Sequence, residues 1–230
     1  MIPRARVFAI ADGTGGRPDG LRASELAVSA LEDYFRQARA CPAPENGSGA
    51  AAVSDVKGAI AQANARIWSE NADRVAAERM TAAIVVAHFL GPNVAIASVG
   101  HARAYRLRDR KLKRLTADHI LLEQSRPYLS DDDLEPLRPL QDVLTRALGF
   151  AARVAADVMT HSVAPEDCFL VCSSGLTDAL PDPAICDIML SASSLEDMCQ
   201  ALTRAADAAH GRDNITAMAI RLGRAAAAPS

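Results

Sequence analysis

The chain has 230 residues, a formal net charge of −3 and a pI near 6.0; 50% of its residues are hydrophobic and 4% are aromatic. This length and apolar content suffice for one sizeable core, so we expect one domain, or two at most. The slightly acidic balance excludes the basic face that nucleic-acid binding needs, and the scarcity of aromatic side chains argues against base stacking.

Membrane insertion and export are also disfavoured. No stretch of the sequence is apolar over the length that a membrane-spanning helix needs, and the apolar part of the N-terminal segment is too short for a signal peptide. The cysteines are odd in number and form no Cys-x-x-Cys pair, which disfavours a disulfide framework or a structural zinc site; they are Cys41, Cys168, Cys172, Cys186 and Cys199. We therefore expect a cytoplasmic protein with no membrane partner.

A first strand and two helices are predicted in the N-terminal third. Residues 6–11 form a short apolar segment typical of a strand, and residues 20–39 carry apolar side chains at helical spacing. Residues 40–53 are rich in Pro, Gly, Ser and Asn, which predicts a loop. A second helix with one apolar face is predicted over residues 54–77.

Short strands dominate the middle of the chain. Four segments joined by tight turns predict an antiparallel meander over residues 81–90, 94–100, 103–109 and 111–116. Residues 116–140 are polar and helical, with prolines as breaks. We interpret the acidic run at residues 131–133 as a helix cap or a solvated loop.

The C-terminal third alternates strands with one helix. We predict strands over residues 152–163, 167–175 and 214–223, a helix over residues 194–210, and a frayed tail at residues 224–230. Together these blocks predict an α+β fold in which antiparallel sheets stack as a sandwich with helices outside.

Three turns rich in Asp or Gly recur at strand ends: ADGTGG after the first strand, CSSGLTD after the FLV strand, and GRDNIT before the last strand. If these ends converge, Asp12 and Asp213 could share a divalent cation, because Mg²⁺ and Mn²⁺ prefer carboxylate and carbonyl oxygens. A glycine beside a liganding aspartate lets its own carbonyl turn toward the metal. Aspartate and glycine are equally typical of plain turns, and the residues alone leave both interpretations open.

Six motifs resemble, in order, those of the PPM or protein phosphatase 2C group of metal-dependent serine/threonine phosphatases. They are FAIADGTGG, ASELAVSALEDYF, VGHARAYRLRDRKLKRLTADH, LTRALG, FLVCSSGLTD and HGRDNIT. They span nearly the whole chain, so the resemblance implies a phosphatase domain over residues 1–223. The implied fold is a four-layer α-β-β-α sandwich.

The resemblance also implies a mechanism, in which paired Mn²⁺ or Mg²⁺ ions bind the phosphate of a phosphorylated protein and activate a water. By motif matching, Asp12 would bridge both cations, Gly13 would offer its carbonyl oxygen, and Asp213 would ligate the second ion. Asn214 would orient water or support Asp213. The family often opposes a serine/threonine kinase, so the implied partner is a phosphoprotein substrate of such a kinase.

Several positions depart from the family. Ser174 stands where the family has a metal-binding aspartate, His101 where it has the aspartate of an additional metal, and Met80 where it has a glycine. A hydroxyl replaces a carboxylate poorly, and an imidazole suits Mn²⁺, Fe²⁺ or Zn²⁺ but not Mg²⁺. We predict that Ser174 is the main chemical defect. We predict that His101 lies at the same edge without being a principal ligand; the alternative is an ordinary turn histidine.

The family's first strand, with its phosphate-binding arginine, also has no counterpart, so we expect either a shortened bacterial-type variant or a true start upstream of Met1. Two functions remain open: a protein phosphatase of reduced or altered metal dependence, and an inactive pseudophosphatase that binds a phosphoprotein or another partner. A phosphatase of small phosphoesters is a weaker third. Arg17, Arg103 and Arg212 are weaker candidates for a phosphate contact.

Overall fold

Two four-stranded antiparallel sheets lie face to face, and helices cover the outer face of each. The computed structural model describes residues 6–14, 18–38, 49–140, 143–209 and 213–223. The first sheet has the strand order β1-β2-β3-β6 and the second has the order β5-β4-β7-β8. In chain order the strands are β1 (Val7–Gly13), β2 (Ala82–Leu90), β3 (Asn93–Val99), β4 (Arg103–Arg108), β5 (Lys111–Arg114), β6 (Asp157–Ser162), β7 (Cys168–Cys172) and β8 (Ala217–Arg221).

The helices fall into two groups that sandwich the sheets. The first two pack on the first sheet and the last three on the second, while two short helices lie in the connection between β5 and β6. Their bounds are α1 (Pro18–Ala38), α2 (Gly49–Glu70), α3 (Leu121–Ser125), α4 (Asp131–Leu134), α5 (Ser174–Ala179), α6 (Asp182–Ser191) and α7 (Leu195–Ala208). The acidic run lies in α4, where the main-chain N–H of Asp133 reaches Ser130 Oγ at 3.4 Å as in a helix cap.

Alternation along β2 explains how one strand serves two cores. Eight of its nine residues are buried, and successive side chains point to opposite faces. Ile84 and Val86 join the core beneath α1 and α2, whereas Ala83 and Val85 join the core between the sheets. A third core around Leu170 lies beneath α5, α6 and α7. The predicted four-layer α-β-β-α sandwich is confirmed.

The predicted four-strand meander is wrong at its centre. β2 pairs with β3 and β4 pairs with β5, but β3 takes β6 as its second neighbour and β4 takes β7. The chain passes from the first sheet to the second at Gly100, which adopts a φ of 92°. Two short strands joined by a tight turn give the same sequence pattern whether they pair or cross between stacked sheets, so the pattern could not distinguish the two.

The bounds of the second helix also differ from prediction. α2 begins at Gly49 and ends at Glu70, so the last part of the predicted loop at residues 40–53 is helical; its residues 40–48 lie outside the described residues. Three consecutive alanines after Gly49 favour helix. The helix ends at Glu70, and the amide of the next residue, Asn71, binds the main chain of Met80.

The C-terminal third holds two helices more than predicted, α5 and α6. β6 is shorter than residues 152–163, and the strand predicted over residues 167–175 stops at Cys172 because α5 begins directly after it. Helix α6 was not predicted, although Pro183 in its first turn and the buried pair Ile185 and Met189 at helical spacing are typical helix signals. The tail predicted at residues 224–230 lies outside the described residues.

The described cysteines form no disulfide. Cys168, Cys172, Cys186 and Cys199 are free, and Cys41 lies outside the described residues. Within the described ranges, no helix combines the length and the apolar character that crossing a bilayer requires.

Candidate metal centre

Asp12 and Gly13 lie at the end of β1, opposite Ala83 and Ala82 of β2. Gly13 is in main-chain contact with the first turn of α1, because a Cβ atom placed on it would lie 1.8 Å from the carbonyl oxygen of Gly20. Only a glycine fits here, which gives this position a packing requirement that is independent of any ligand. The same contact fixes the end of β1 against α1 and so positions the carboxylate of Asp12.

The end of β7 and the start of β8 form the other half of this edge. Ser173 Oγ donates to the carbonyl oxygen of Asn214 at 3.1 Å and accepts from the main-chain N–H of Thr216 at 3.0 Å. A Cβ atom on Gly175 would lie 2.5 Å from the Asn214 carbonyl oxygen and 3.2 Å from that of Asp213. Position 174 is therefore held close to position 213 by main-chain contact.

Asp12 joins the two halves electrostatically. Ser174 Oγ donates to Asp12 Oδ2 at 3.3 Å, across from one sheet to the other. Burial raises the pKa of Asp12 above its ordinary value of 3.8, and the charge of Asp213 raises it further, whereas His101 and Ser174 act in the opposite direction. The structure thus brings Asp12, Ser174, Asp213 and His101 to one edge, with two carboxylates close enough to repel each other.

His101 follows Gly100 on the crossing between the sheets and interacts with the charge of Asp12. Its Nδ1 is buried and has no hydrogen-bond partner among the described residues. A hydrogen bond at Nδ1 therefore does not account for its position. Its rank as a peripheral rather than a principal ligand stays a prediction.

Asn214 contacts its neighbours through its main chain. Its N–H donates to Asp213 Oδ1 at 2.9 Å, which orients that carboxylate, and its side chain is exposed. The expected role of the Asn214 side chain in orienting water stays a prediction.

A divalent cation fits this edge with few protein ligands. The half-buried carboxylate of Asp12 and the exposed carboxylate of Asp213 repel each other, so a positive ion is favoured between them. Carbonyl and water oxygens can complete the shell of a hard cation. Across the part of the chain that the structure describes, no three His, Cys, Asp or Glu side chains form a group that could hold a metal ion. The effect of Ser174 on the site stays a prediction.

Arg103, a weaker sequence candidate, has a structural role. Its Nε and Nη2 both reach the carboxylate of Asp118, the latter at 2.6 Å, and its Nη1 donates to Tyr105 Oη at 3.2 Å. Asp118 also pairs with Arg114 at 2.5 Å. Arg103 is thus committed to a buried ion pair, and Arg17 and Arg212 lie outside the described residues.

Sequence reasoning missed two buried asparagines of the α2 region, Asn64 and Asn71, each 2% exposed. They continue the apolar stripe of α2, which includes Ile60 and Ile67. A polar residue on such a stripe indicates a buried, hydrogen-bonded side chain, and the sequence offered this indication. Both bind the main chain of Gly149, the last residue of LTRALG. Asn64 also binds the loop that follows, and Asn71 also binds Met80.

Comparison with known proteins gives one consistent result. The family model described as protein phosphatase 2C matches residues 3–218. The serine/threonine phosphatase stp of Listeria welshimeri is 30% identical over 216 residues, which cover 93% of this chain and 83% of that protein.

Solved structures agree with that result. PppA of Pseudomonas aeruginosa, described as a key regulatory component of T6SS, is 29% identical with a TM-score of 0.79, over 96% of this chain and 88% of that one. The catalytic domain of the phosphatase PstP in complex with two manganese ions has a TM-score of 0.76 at 22% identity, over 93% of this chain and 86% of that one. The second likeness concerns the fold alone.

Proposed function

The chain belongs to the protein phosphatase 2C family, and on that premise we propose that it hydrolyses phosphoserine and phosphothreonine in proteins at the edge formed by Asp12, Ser174 and Asp213. It is a metal-dependent serine/threonine protein phosphatase. The observation that supports this position for the site is the raised pKa of Asp12, caused by burial and then by Asp213. A half-buried carboxylate whose pKa is raised by burial and by a neighbouring, exposed carboxylate is typical of a functional site.

Three groups would hold the cations. Asp12 would bridge two ions, the Gly13 carbonyl oxygen would bind one of them, and Asp213 would bind the other. When bound, such ions polarise the phosphate and lower the pKa of a coordinated water. The chain's own contribution is to hold Asp12 and Asp213 in place: Gly13 packs on Gly20, and the Asn214 N–H donates to Asp213 Oδ1.

The chemistry of the edge favours weak binding and a cation such as Mn²⁺. Ser174 adds a hydroxyl but no charge, so two carboxylates must attract ions of charge +2 each. His101 places an imidazole nitrogen nearby, which Mn²⁺ accepts more readily than Mg²⁺. We therefore place Mn²⁺ before Mg²⁺ as the cofactor.

The substrate would be a phosphorylated protein, and the opposing enzyme a serine/threonine kinase. We place this activity in the cytoplasm, in keeping with the free thiols of the described residues, and assign residues 1–223 to a single phosphatase domain. The relatives named as serine/threonine phosphatases support the substrate class.

The test is phosphate release from a phosphothreonine peptide by the full chain with Mn²⁺, compared with the Asp12→Asn variant. We expect release that stops on chelation and falls about a hundredfold or more in the variant, as for loss of a metal ligand. Peptide binding without release above the Asp12→Asn background would instead favour a pseudophosphatase and overturn the proposal.

A further inference from the structure

A single buried side chain, that of Asn71, binds two separate segments of main chain. Its Oδ1 accepts from the main-chain N–H of Met80 at 2.9 Å. Its Nδ2 donates to the carbonyl oxygen of Met80 at 2.9 Å and to that of Gly149 at 3.1 Å. The one acceptor and both donor hydrogens of the amide are therefore used. Asn71 thus connects the end of α2 to the segment before β2 and to the last residue of LTRALG.

Thr81 continues this contact to β1. The main-chain N–H of Thr14 donates to the Thr81 carbonyl oxygen at 2.9 Å, and the two Oγ1 atoms are hydrogen-bonded at 2.5 Å. The next residue, Ala82, pairs with Gly13 and exchanges hydrogen bonds of 2.9 and 3.2 Å with Leu148. A short run of covalent and hydrogen bonds thus leads from Asn71 to the strand end that carries Asp12.

The end of β1 depends strongly on this run. β1 is the terminal strand of its sheet, and among the described residues β2 is the strand that pairs with it. The backbone of Asp12 is therefore positioned by β2, by α1 and by the contact of Thr14 with Thr81. Its carboxylate also accepts a hydrogen bond from Ser174 Oγ. A strand end with few backbone partners opens locally at low cost in free energy.

We propose that Asn71 is a positioning residue for Asp12 and that it acts on metal affinity through Met80, Thr81 and Thr14. The inference rests on the proposed function, because it takes Asp12 as a metal ligand. Loss of the amide leaves the buried N–H and C=O of Met80 without their partner, so the segment from Met80 to Thr81 shifts or loosens. Partners that orient metal ligands typically contribute tenfold to hundredfold in affinity.

Asn64 supplies a matched control. It is equally buried, its Oδ1 accepts from the Gly149 N–H at 2.9 Å, and its Nδ2 donates to the carbonyl oxygens of Ala151 and Ala152 at 3.0 and 3.2 Å. It holds the same loop as Asn71 from the same helical stripe, but its hydrogen bonds go to that loop and not to Met80. Asn64→Ala should therefore reduce stability without moving Asp12.

The first experiment is calorimetric titration of the metal-free full chain with Mn²⁺, for the native protein, Asn71→Ala and Asn64→Ala. Unfolding is followed by fluorescence of Trp68, the one tryptophan of the chain. We expect Asn71→Ala to raise the Kd for Mn²⁺ about tenfold and Asn64→Ala to raise it less than about threefold. Equal weakening in both variants, or none in Asn71→Ala, would overturn the proposal.

Hydrogen exchange separates this proposal from the proposed function, because it needs no metal. In the metal-free protein, amides of residues 7–14 should exchange about tenfold faster in Asn71→Ala than in Asn64→Ala. If the native chain binds no Mn²⁺, the proposed function fails, and the exchange rates still decide whether Asn71 positions β1. Unchanged exchange over these residues in Asn71→Ala would refute the positioning role.

Thr14→Val gives a second variant that does not disturb the buried amide. It removes the hydroxyl contact with Thr81 and keeps a β-branched side chain suited to a strand end. If Asn71 acts through Thr14, Thr14→Val should itself accelerate exchange over residues 7–14. In the double variant, the acceleration of exchange should then be smaller than the sum of the accelerations caused by Asn71→Ala and Thr14→Val alone. No effect of Thr14→Val, or full additivity, would contradict the proposed route.

Discussion

Two carboxylates at strand ends, Asp12 and Asp167, have opposite electrostatic surroundings. Asp167 precedes β7, is 1% exposed, and accepts from Arg108 Nε at 2.6 Å and from the Ala164 N–H at 2.8 Å. Burial would raise the pKa of Asp167, but the hydrogen bonds and charge of Arg108 outweigh it and hold the pKa below 3.8. At Asp12, burial and then Asp213 hold the pKa above 3.8.

This difference separates a carboxylate that stabilises the fold from one that is available to a ligand. The charge of Asp167 is neutralised by its own chain, so its ionised form is favoured in the folded protein. The charge of Asp12 meets a second carboxylate and a neutral hydroxyl, so its ionised form is disfavoured until a cation arrives. The comparison predicts that substitution of Asp12 lowers activity but not metal-free stability, whereas substitution of Asp167 lowers stability but not activity.

The largest expected effect is on activity, in Asp12→Asn. We expect phosphatase turnover with Mn²⁺ to fall about a hundredfold or more. The metal-free variant should be at least as stable as the native chain, because it no longer buries a charge there and no longer repels Asp213. A stability loss comparable to that of Asp167→Asn, measured by chemical unfolding without metal, would break the comparison.

The same variant predicts a pH dependence. Because the folded-state pKa of Asp12 lies above the ordinary value of 3.8, the folded chain binds this proton more tightly than the unfolded chain does. The metal-free free energy of unfolding should therefore fall as pH rises from 3.8 through the raised pKa. Asp12→Asn should remove the contribution of Asp12 to this pH dependence. Unfolding curves of both forms across this range, without metal, are the measurement.

The next effect in size is on stability, in Asp167→Asn. Removing the charge leaves Arg108 without its ionic partner, and we expect a loss of about 2 kcal/mol in the free energy of unfolding. Turnover should stay near the native value. Because the pKa is lowered, the native contribution is present above pH 3.8 and lost as pH falls through the lower pKa. Chemical unfolding at neutral and acidic pH measures the stability loss and its pH dependence. An unchanged denaturant midpoint of unfolding in the variant at neutral pH would contradict the prediction.

A smaller effect, about tenfold, is expected for Ser174→Asp. The added carboxylate raises the charge at the edge from −2 to −3, so Mn²⁺ binding should tighten and turnover should rise. Without metal the same change should reduce stability, since three carboxylates then repel one another. Calorimetry measures the expected gain in Mn²⁺ affinity, and unfolding with and without Mn²⁺ measures the expected loss of metal-free stability. Unchanged affinity beside tight binding by the native chain would mean that other ligands complete the site.

The smallest effect, about threefold in turnover, is expected for His101→Ala, well below that of Asp12→Ala. The imidazole lies beside Asp12 but replaces a peripheral group of the family. Turnover of both variants with Mn²⁺ is the measurement, and equal, near-complete losses would show that His101 is a principal ligand.

The layers of the fold could be predicted from the sequence because apolar spacing separates helices from strands locally. The crossing at Gly100 could not, since the choice of pairing partner for β3 is made by tertiary packing. Asp12 and Asp213 could be predicted as neighbours from the order of the motifs. The role of Asn71 could not, because an asparagine directly after a helix is as typical of an ordinary turn as of a buried clamp.

The contact of Gly175 with the main chain of Asp213 and Asn214 has a consequence for how this family can diverge. The spacing between positions 174 and 213 is carried by backbone against backbone, so it does not depend on which side chain occupies position 174. A lineage can therefore exchange aspartate for serine there and lose ligand charge while the geometry is inherited intact. Reversal would then require a new side chain at one position and no rebuilding of the scaffold.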